Sequence, residues 1–496
     1  MRRKPGARTN GGRSLPPIVI RDRETEAMLT ANSMERIQMQ LSAAQRSTNP
    51  VQAQVTEAPV VVDTPPPVVA DTLPPAERQG PFTPPECETF ADLGLPDELI
   101  ESLVFKHLLA VGSNTCRGMS KELSVPGKQL LGMLTDIKSR QLIVYKGSAS
   151  MGDFEYTLTE AGHETAQRYV SECAYSGTAP VPLADYVASV AAQSLHLETP
   201  GPSELKDAFR DLLINAEMLA QLGPAINSGR GMFLFGFPGN GKTSIAERVT
   251  RCFGLPIWIP YALFVEGEII QLYDPQTHDA IADASSPIKE QAHDTRWIKI
   301  TRPTIVVGGE LTMDSLELQH NPHTKITEAP LQLKSNCGTL VIDDFGRQRM
   351  NPDELLNRWI VPLEKSYDFL TLANGQKIRV PFEQLIIFST NLEPRELVDD
   401  AFLRRIPYKI NIVDPTEAEF RELMQIMATS LGLDYNEDAV DHLIDVHYRP
   451  NNRPFRCCHP RDLLQQIVNE SKYRSRPAEM TKQGFDNACR TYFAIM

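Results

Sequence analysis

Gly236-Phe237-Pro238-Gly239-Asn240-Gly241-Lys242-Thr243 spaces two outer glycines, a lysine and a hydroxyl as a row of phosphates requires. Gly236 and Gly241 let the backbone curl until successive N–H groups face one anion. Lys242 brings a point charge and Thr243 offers its hydroxyl to Mg²⁺. The flanks agree. Met232-Phe233-Leu234-Phe235 is an apolar run of the buried parallel-strand type, and 244–252 continues as a helix whose amino end points at the phosphates. The stretch therefore predicts an α/β fold holding ATP or GTP, with Pro238, Gly239, Asn240, Gly241, Lys242, Thr243 and Ser244 around the phosphates. Taken alone, a glycine loop also serves as plain structure.

A second strand completes the pattern. Thr339-Leu340-Val341-Ile342 is apolar and ends in Asp343-Asp344. Asp343 suits the carboxylate that holds Mg²⁺, and Asp344 the group that positions or deprotonates an attacking water.

The chain of 496 residues exceeds one hydrophobic core, so several domains are expected. Its net charge of −13 argues against wholesale coating of nucleic acid but leaves room for a local basic face. Eight cysteines without a CxxC pair fit a reducing compartment, and Cys457-Cys458-His459 lacks the distant partner a zinc site needs. No apolar run is long enough to span a bilayer, and no apolar segment follows the basic start, so a cytoplasmic protein without a membrane partner is expected.

Residues 1–88 cluster prolines among valines, threonines and acids and read as a disordered arm. Within it, 24–46 has one apolar helical face, formed by Met34, Ile37 and Leu41. From 89 to 178 the pattern is globular: helices over 97–109, 115–123 and 128–140, then strands at 142–145 and 154–158. Three helices and a hairpin resemble the winged-helix fold, which serves either DNA or protein docking. Six Lys/Arg and two Asp/Glu between Arg117 and Lys146 permit DNA contact without requiring it. Residues 179–202 read as a linker carrying one helical segment, 186–195, 203–414 as the nucleotide-binding core, and 415–496 as four helices.

With these motifs in order, 203–496 resembles the AAA+ ATPase superfamily. Leu385-Ile386-Ile387-Phe388-Ser389-Thr390-Asn391 is similar to the sensor 1 strand, Phe402-Leu403-Arg404-Arg405-Ile406-Pro407 to the arginine-finger segment, and Cys458-His459-Pro460-Arg461-Asp462-Leu463 to sensor 2 at the start of a lid helix. The resemblance implies a parallel sheet with an α-helical lid and a Mg²⁺-dependent ATP hydrolase. It implies catalytic roles for Asp344, Asn391, Arg405 and Arg461, with Thr243 and Asp343 at the metal. It also implies a homo-oligomeric ring, most often hexameric, in which Arg405 reaches the neighbouring subunit's site. Asp344 departs from the glutamate that most of the superfamily carries.

Lys242 and Asp343 stand 101 positions apart, more than two compact βαβ steps need. The surplus includes 264–273 and 297–318, either of which reads as a hairpin projecting from the second helix. Phe264-Val265-Glu266-Gly267 reads as an aromatic pore loop or as an ordinary strand end. The stretches 367–372 and 376–381 flank Ala373-Asn374-Gly375, where Asn374-Gly375 predicts a type I′ turn. This hairpin lies where a pre-sensor 1 hairpin stands, and with the surplus it resembles the helix-2-insert branch. The functions left open are a chaperone-like ring remodelling a protein client, a DNA-directed motor or regulator, and an assembly switch with little turnover.

Overall fold

Five strands form the central sheet: β1 (Met232–Phe235), β2 (Thr304–Val307), β3 (Thr339–Ile342), β4 (Leu385–Thr390) and β5 (Tyr408–Asn411). All pair in parallel, in the spatial order β2-β3-β4-β1-β5. The computed structural model describes residues 82–148, 152–281 and 293–494. Alternation along the strands separates the two faces. Met232, Leu234, Val341 and Ile387 pack on helices Pro202–Ala208, Ala216–Asn227 and α1 (Lys242–Val249). Phe233, Leu340, Ile342 and Phe388 pack on α2 (Pro352–Lys365), whose Trp359 is fully buried. Because helices cover both faces, the inner strands β1, β3 and β4 are nearly continuous apolar runs, as buried parallel strands are, whereas the edge strand β5 carries Lys409 and Asn411 at exposed positions. The expected α/β class holds: a five-stranded parallel sheet with helices on either side.

The lid is all helical, with α3 (Glu417–Ser430), α4 (Glu437–Leu443), a π-helical turn Ile444–Tyr448, α5 (His459–Tyr473) and α6 (Lys482–Tyr492). Phe420, Met424, Leu443, Leu464 and Phe485 form its own core.

Toward the amino end, helices Asp97–Val111, Cys116–Leu123 and Gly127–Ser139 enclose Phe105, Met119, Leu130, Leu134 and Ile137. Strands Ile143–Ser148 and Phe154–Leu158 pair as the expected hairpin. Ser113–Thr115, which has no apolar signature, adds a third antiparallel strand. The packed region reaches back into the proline-rich stretch as far as Phe82, whose ring meets Trp297 edge-on at 6.0 Å. The rest of that stretch, including the 24–46 helix, lies outside the described residues.

The segment read as a linker is woven into the body. Val181–Pro182 pairs with Leu263 and Phe264, and helix Leu183–Ala192 buries Tyr186 and Val190. Of the two surplus stretches, Ala262–Val265 and Glu268–Gln271 do form a hairpin, turned at Glu266 and Gly267 with φ of 47° and 86°. Those are the paired left-handed residues of a type I′ turn. Phe264 packs against the amino-terminal core, so this tip is a strand end and not a free aromatic loop.

The 297–318 stretch is not a hairpin. Trp297–Ile300 pairs with Ile257–Pro260, and Thr304–Val307 is the edge strand β2. Most of the surplus therefore precedes β2; between β2 and β3 stand a short 3-10 turn (Met313–Leu316), the antiparallel pair Gln319–His320 and Thr327–Glu328, and the single-turn helix Leu331–Lys334. The hairpin Tyr367–Thr371/Lys377–Pro381 does stand between α2 and β4. Its turn differs from expectation. Gly375 N–H donates to Leu372 O at 2.9 Å, and of the three loop residues only Gly375 is left-handed, with φ 83°. That is a three-residue loop closed by a glycine bulge.

Candidate functional site at the carboxyl edge of the sheet

Parallel α/β sheets bind ligands outside the carboxyl ends of their strands, where loops leave the sheet and helix amino ends converge. Here the ends of β1, β3 and β4 lie side by side, because β4 pairs with both others. The loop after β1 runs into α1, the turn after β3 carries Asp343 and Asp344, and β4 ends at Asn391.

Five of the expected residues meet there. Thr243 Oγ1 donates to Asp343 Oδ2 at 2.8 Å. Lys242 Nζ donates to Asn391 Oδ1 at 2.7 Å, and Asn391 Nδ2 donates to Asp344 Oδ1 at 2.9 Å. Lys242 also folds back onto its own loop, giving hydrogen bonds to the carbonyls of Gly236 at 2.9 Å and Phe237 at 3.0 Å. Its ammonium is thus held by three neutral oxygens, which a phosphate can replace. Burial lowers the Lys242 pKa; Asp343 and Asp344 oppose that shift, and Arg456 adds to it.

The two aspartates are held by backbone geometry. Asp343 N–H bonds to Val307 O of β2 at 2.8 Å. Asp344 is left-handed, with φ 47°, a conformation that costs a non-glycine residue about 1–3 kcal/mol and persists only when its surroundings enforce it. Gln348 does part of that enforcing: its Nε2 donates to Asp343 O at 2.9 Å and Asp344 O at 3.2 Å, and its Oε1 accepts from Gly346 N–H at 2.8 Å. Sequence reasoning missed Gln348, since no motif spacing distinguishes it from a surface glutamine.

A second missed group is the lid wall. Asn240 Nδ2 donates to Asp414 Oδ1 at 2.6 Å, and Arg456 bonds to the same carboxylate while its guanidinium lies 4.4 Å from the centre of the Phe237 ring. Cys458 N–H donates to Gly239 O at 2.9 Å. The contact is close enough that a Cβ on Gly239, already at φ 87°, would come within 2.6 Å of Cys458 Sγ. The order Arg453-Pro454-Phe455-Arg456 carries no signal of this role. Pro238 sits on the exposed crest of the loop, and Ser244 in the first turn of α1.

Two expected residues lie elsewhere. Arg405 precedes β5, whose Tyr408 is level with Met232 at the amino end of β1. It lines a cavity of about 700 Å³ with His196, Gly231, Glu364 and Arg404, and its Nε donates to Glu364 Oε1 at 2.7 Å. That is the opposite edge of the sheet from the phosphate loop of the same chain. Arg461 stands in the first turn of α5 and pairs with neighbouring Asp462 at 3.1 Å.

The geometry suits a nucleoside triphosphate with Mg²⁺. The amino end of α1 carries no acidic residue in its first turn, and a Cβ placed on Gly241 would meet nothing within 4 Å, so the loop is open on that side. Thr243 and Asp343 bring two hard oxygens together, the donor type Mg²⁺ prefers. Among the described residues no helix is long and apolar enough to cross a membrane.

Residues 416–491 match a family described as a domain of unknown function, DUF8689. No curated protein matches the chain. Similar solved structures include NtrX from Brucella abortus in complex with ATP, 13% identical with a TM-score of 0.34. That likeness covers 57% of this chain and 56% of the other, so the chain spans little more than half of the NtrX structure. A point variant of RuvB from Thermotoga maritima is 14% identical with a TM-score of 0.35, over 58% of this chain and 73% of that one.

Proposed function

We infer that the chain is an ATP hydrolase of the AAA+ type, working as a homo-oligomeric ring that remodels a protein client. The observation that carries this reading is the convergence of Lys242, Thr243, Asp343, Asp344 and Asn391, from three separate strand ends, into two adjoining hydrogen-bonded groups, Thr243 with Asp343 and Lys242 with Asn391 and Asp344. Lys242 and the amides of the loop hold the phosphates, while Thr243 and Asp343 hold Mg²⁺. When bound, ATP would supply the transferable phosphoryl group and Mg²⁺ would offset the charge on its oxygens. Asp344 orients and deprotonates the attacking water, and Asn391 fixes Asp344 to Lys242 so that both face the same point.

Arg405 lies at the far edge of the sheet, which leaves a neighbouring protomer's site as its target and makes hydrolysis depend on assembly. A ring of six is the expected form. Arg461, at the mouth of the lid, completes the cationic surroundings on one side or the other of that interface.

The amino-terminal helices and three-stranded sheet follow a winged-helix-like order and recruit the client. Their surface favours protein over DNA. Arg140 is paired with Glu101 and Asp136, and Lys146 with Glu155, so two of the six local cations are already engaged by carboxylates. Beside these pairs, Leu131, Val144, Tyr145 and Phe154 are exposed apolar side chains, with Tyr145 and Phe154 stacked at 4.4 Å.

The test is subunit complementation. Lys242→Ala and Arg405→Ala proteins should each lose ATP hydrolysis by about 10²-fold or more. Mixed, they should recover part of it, because a Lys242→Ala protomer still donates Arg405 to its neighbour. A Lys242→Ala protein as active as wild type removes the hydrolase reading. Absence of recovery in a mixture shown to co-assemble removes the shared site. Retention on duplex DNA that falls steeply with salt would instead support a DNA-directed motor or regulator.

A further inference from the structure

We propose that the lid carries a binding site for one divalent first-row metal ion, with His442, His447 and Asp486 as ligands and Zn²⁺ as the ion best matched to them. His442 closes α4, His447 lies in the π-helical turn and Asp486 projects from α6. Nε2 of His442 and Nε2 of His447 stand 2.9 Å and 2.7 Å from the same oxygen, Asp486 Oδ1. All three ligand atoms lie within 4.8 Å of one another, the one such group of histidine, cysteine and carboxylate found among the described residues.

The backbone accounts for the convergence. Residues five apart on a regular α-helix point about 140° away from each other. The wider turn over Ile444–Tyr448, closed from i to i+5, swings His447 round to the side of His442. Such π turns are uncommon and occur often at functional sites. Ile444, Tyr448 and Phe485 are buried behind the cluster, so the three side chains stand on a packed frame. The side chains themselves are 22–31% exposed, which leaves room for an ion and its waters to enter.

Metal–ligand bonds of ~2.1 Å put neighbouring donor atoms ~3.0 Å apart around an octahedral ion and ~3.4 Å apart around a tetrahedral one. The two histidine–carboxylate separations, 2.9 and 2.7 Å, are within a few tenths of an ångström of the octahedral spacing, and the two imidazoles stand within 4.8 Å of each other. Two imidazoles and one carboxylate suit Zn²⁺, with water in the remaining position. The site lies wholly within residues 416–491, the stretch with a family of its own, and uses none of the phosphate-site residues. An ion there clamps α4 and the π turn to α6, so it binds the folded lid only and stabilises it.

The experiment uses the full-length, chelator-treated protein. Equilibrium dialysis against Zn²⁺ should show one equivalent bound, at least about tenfold weaker in His447→Gln, His442→Gln and Asp486→Asn. Zn²⁺ should raise the Tm of the wild type and not of these variants, with circular dichroism confirming that each is folded. Co²⁺ should give visible d–d absorption without sulfur-to-cobalt charge transfer, which sets this site apart from the cysteines. Failure of the wild type to bind Zn²⁺ overturns the proposal. So does binding that survives all three substitutions, or binding abolished by thiol alkylation. Should one variant fail to fold, the other two decide.

Discussion

Two polar networks in this chain use the same kinds of group and reach opposite outcomes. At the carboxyl edge of the sheet, Asn391 bridges Lys242 to Asp344, Thr243 holds Asp343, and the lysine spends its other donors on its own loop carbonyls. In the body, Asp294 and Arg296 are only 5% and 2% exposed. Arg296 pairs with Asp294 and donates to Leu93 O at 3.0 Å and Pro180 O at 3.1 Å, with Cys87 Sγ against its remaining nitrogen. Asp294 also accepts from the indole of Trp297 at 3.2 Å. The first network is open on one side; the second is saturated and shut. The difference teaches that a buried charge marks a ligand site when its partners are exchangeable, and a clasp when they are not.

The sharpest way to break this comparison is to remove the cation of the clasp. Arg296→Met leaves Asp294 charged, buried and unpaired, and should destabilise the protein by about 3–5 kcal/mol in chemical denaturation. Nucleotide affinity of the protein that remains folded should be unchanged, since the clasp touches no phosphate-site residue. A loss of affinity with little loss of stability would place the two networks in one unit.

The same contrast explains what could be read in advance. The phosphate loop, Asp343-Asp344 and Asn391 are legible because each is a contiguous run ending a strand, and a parallel sheet brings such ends to one edge whatever lies between them. The clasp joins 87, 93, 180, 294 and 296, and no local pattern announces a contact between segments so far apart. The 179–202 stretch was read as a linker for the same reason. Its apolar residues are flanked by prolines at 180, 182, 200 and 202, and its burial comes from pairing with a hairpin far along the chain. Arg456 and Asp414 escaped notice because their meaning depends on how the lid docks. The placement of β2 was missed because Thr304-Ile305-Val306-Val307 is a short apolar run that reads equally well as part of a hairpin.

A second break uses pH. His459, at the start of α5, is buried and hydrogen-bonded to the Tyr448 hydroxyl at 2.8 Å. Burial, helped by the cations of Arg456 and Arg453, takes its pKa from 6.5 down to about 4. The unfolded chain therefore binds a proton that the folded lid refuses. The stability contribution is complete above pH 6.5 and is lost as pH falls toward 4, by about 3 kcal/mol in all. Urea unfolding of wild type against His459→Gln across that range should show the slope only in the wild type; equal slopes would mean that His459 is not the group responsible.

Arg456 tests the boundary between the two kinds of network, since it closes a lid contact and also lies beside the open site. Arg456→Gln removes a charge-assisted hydrogen bond to Asp414 and should loosen lid docking by about 1.5–3 kcal/mol. Hydrogen exchange should quicken around 239–240 and 456–458. If Arg456 and Asp414 act as one pair, the double variant with Asp414→Asn should cost clearly less than the sum of the single changes.

The smallest effect concerns two tight turns that the same dipeptide logic reads differently. At Glu266-Gly267 both residues are left-handed, whereas at Ala373-Asn374-Gly375 only Gly375 is. Gly375→Ala meets no atom within 4 Å, so its whole cost is backbone conformation, about 1 kcal/mol. Asn374 Oδ1 accepts from Gln376 N–H at 2.8 Å, and losing that exposed contact in Asn374→Ala should cost less than Gly375→Ala. Replacing Asn374 by glycine decides the matter. In a type I′ turn it would relieve a left-handed residue and stabilise the hairpin, but in the three-residue loop it adds only unfolded-state freedom and should destabilise by a few tenths of a kcal/mol. A gain in Tm for Asn374→Gly would restore the two-residue turn and with it the register that Asn374-Gly375 announces.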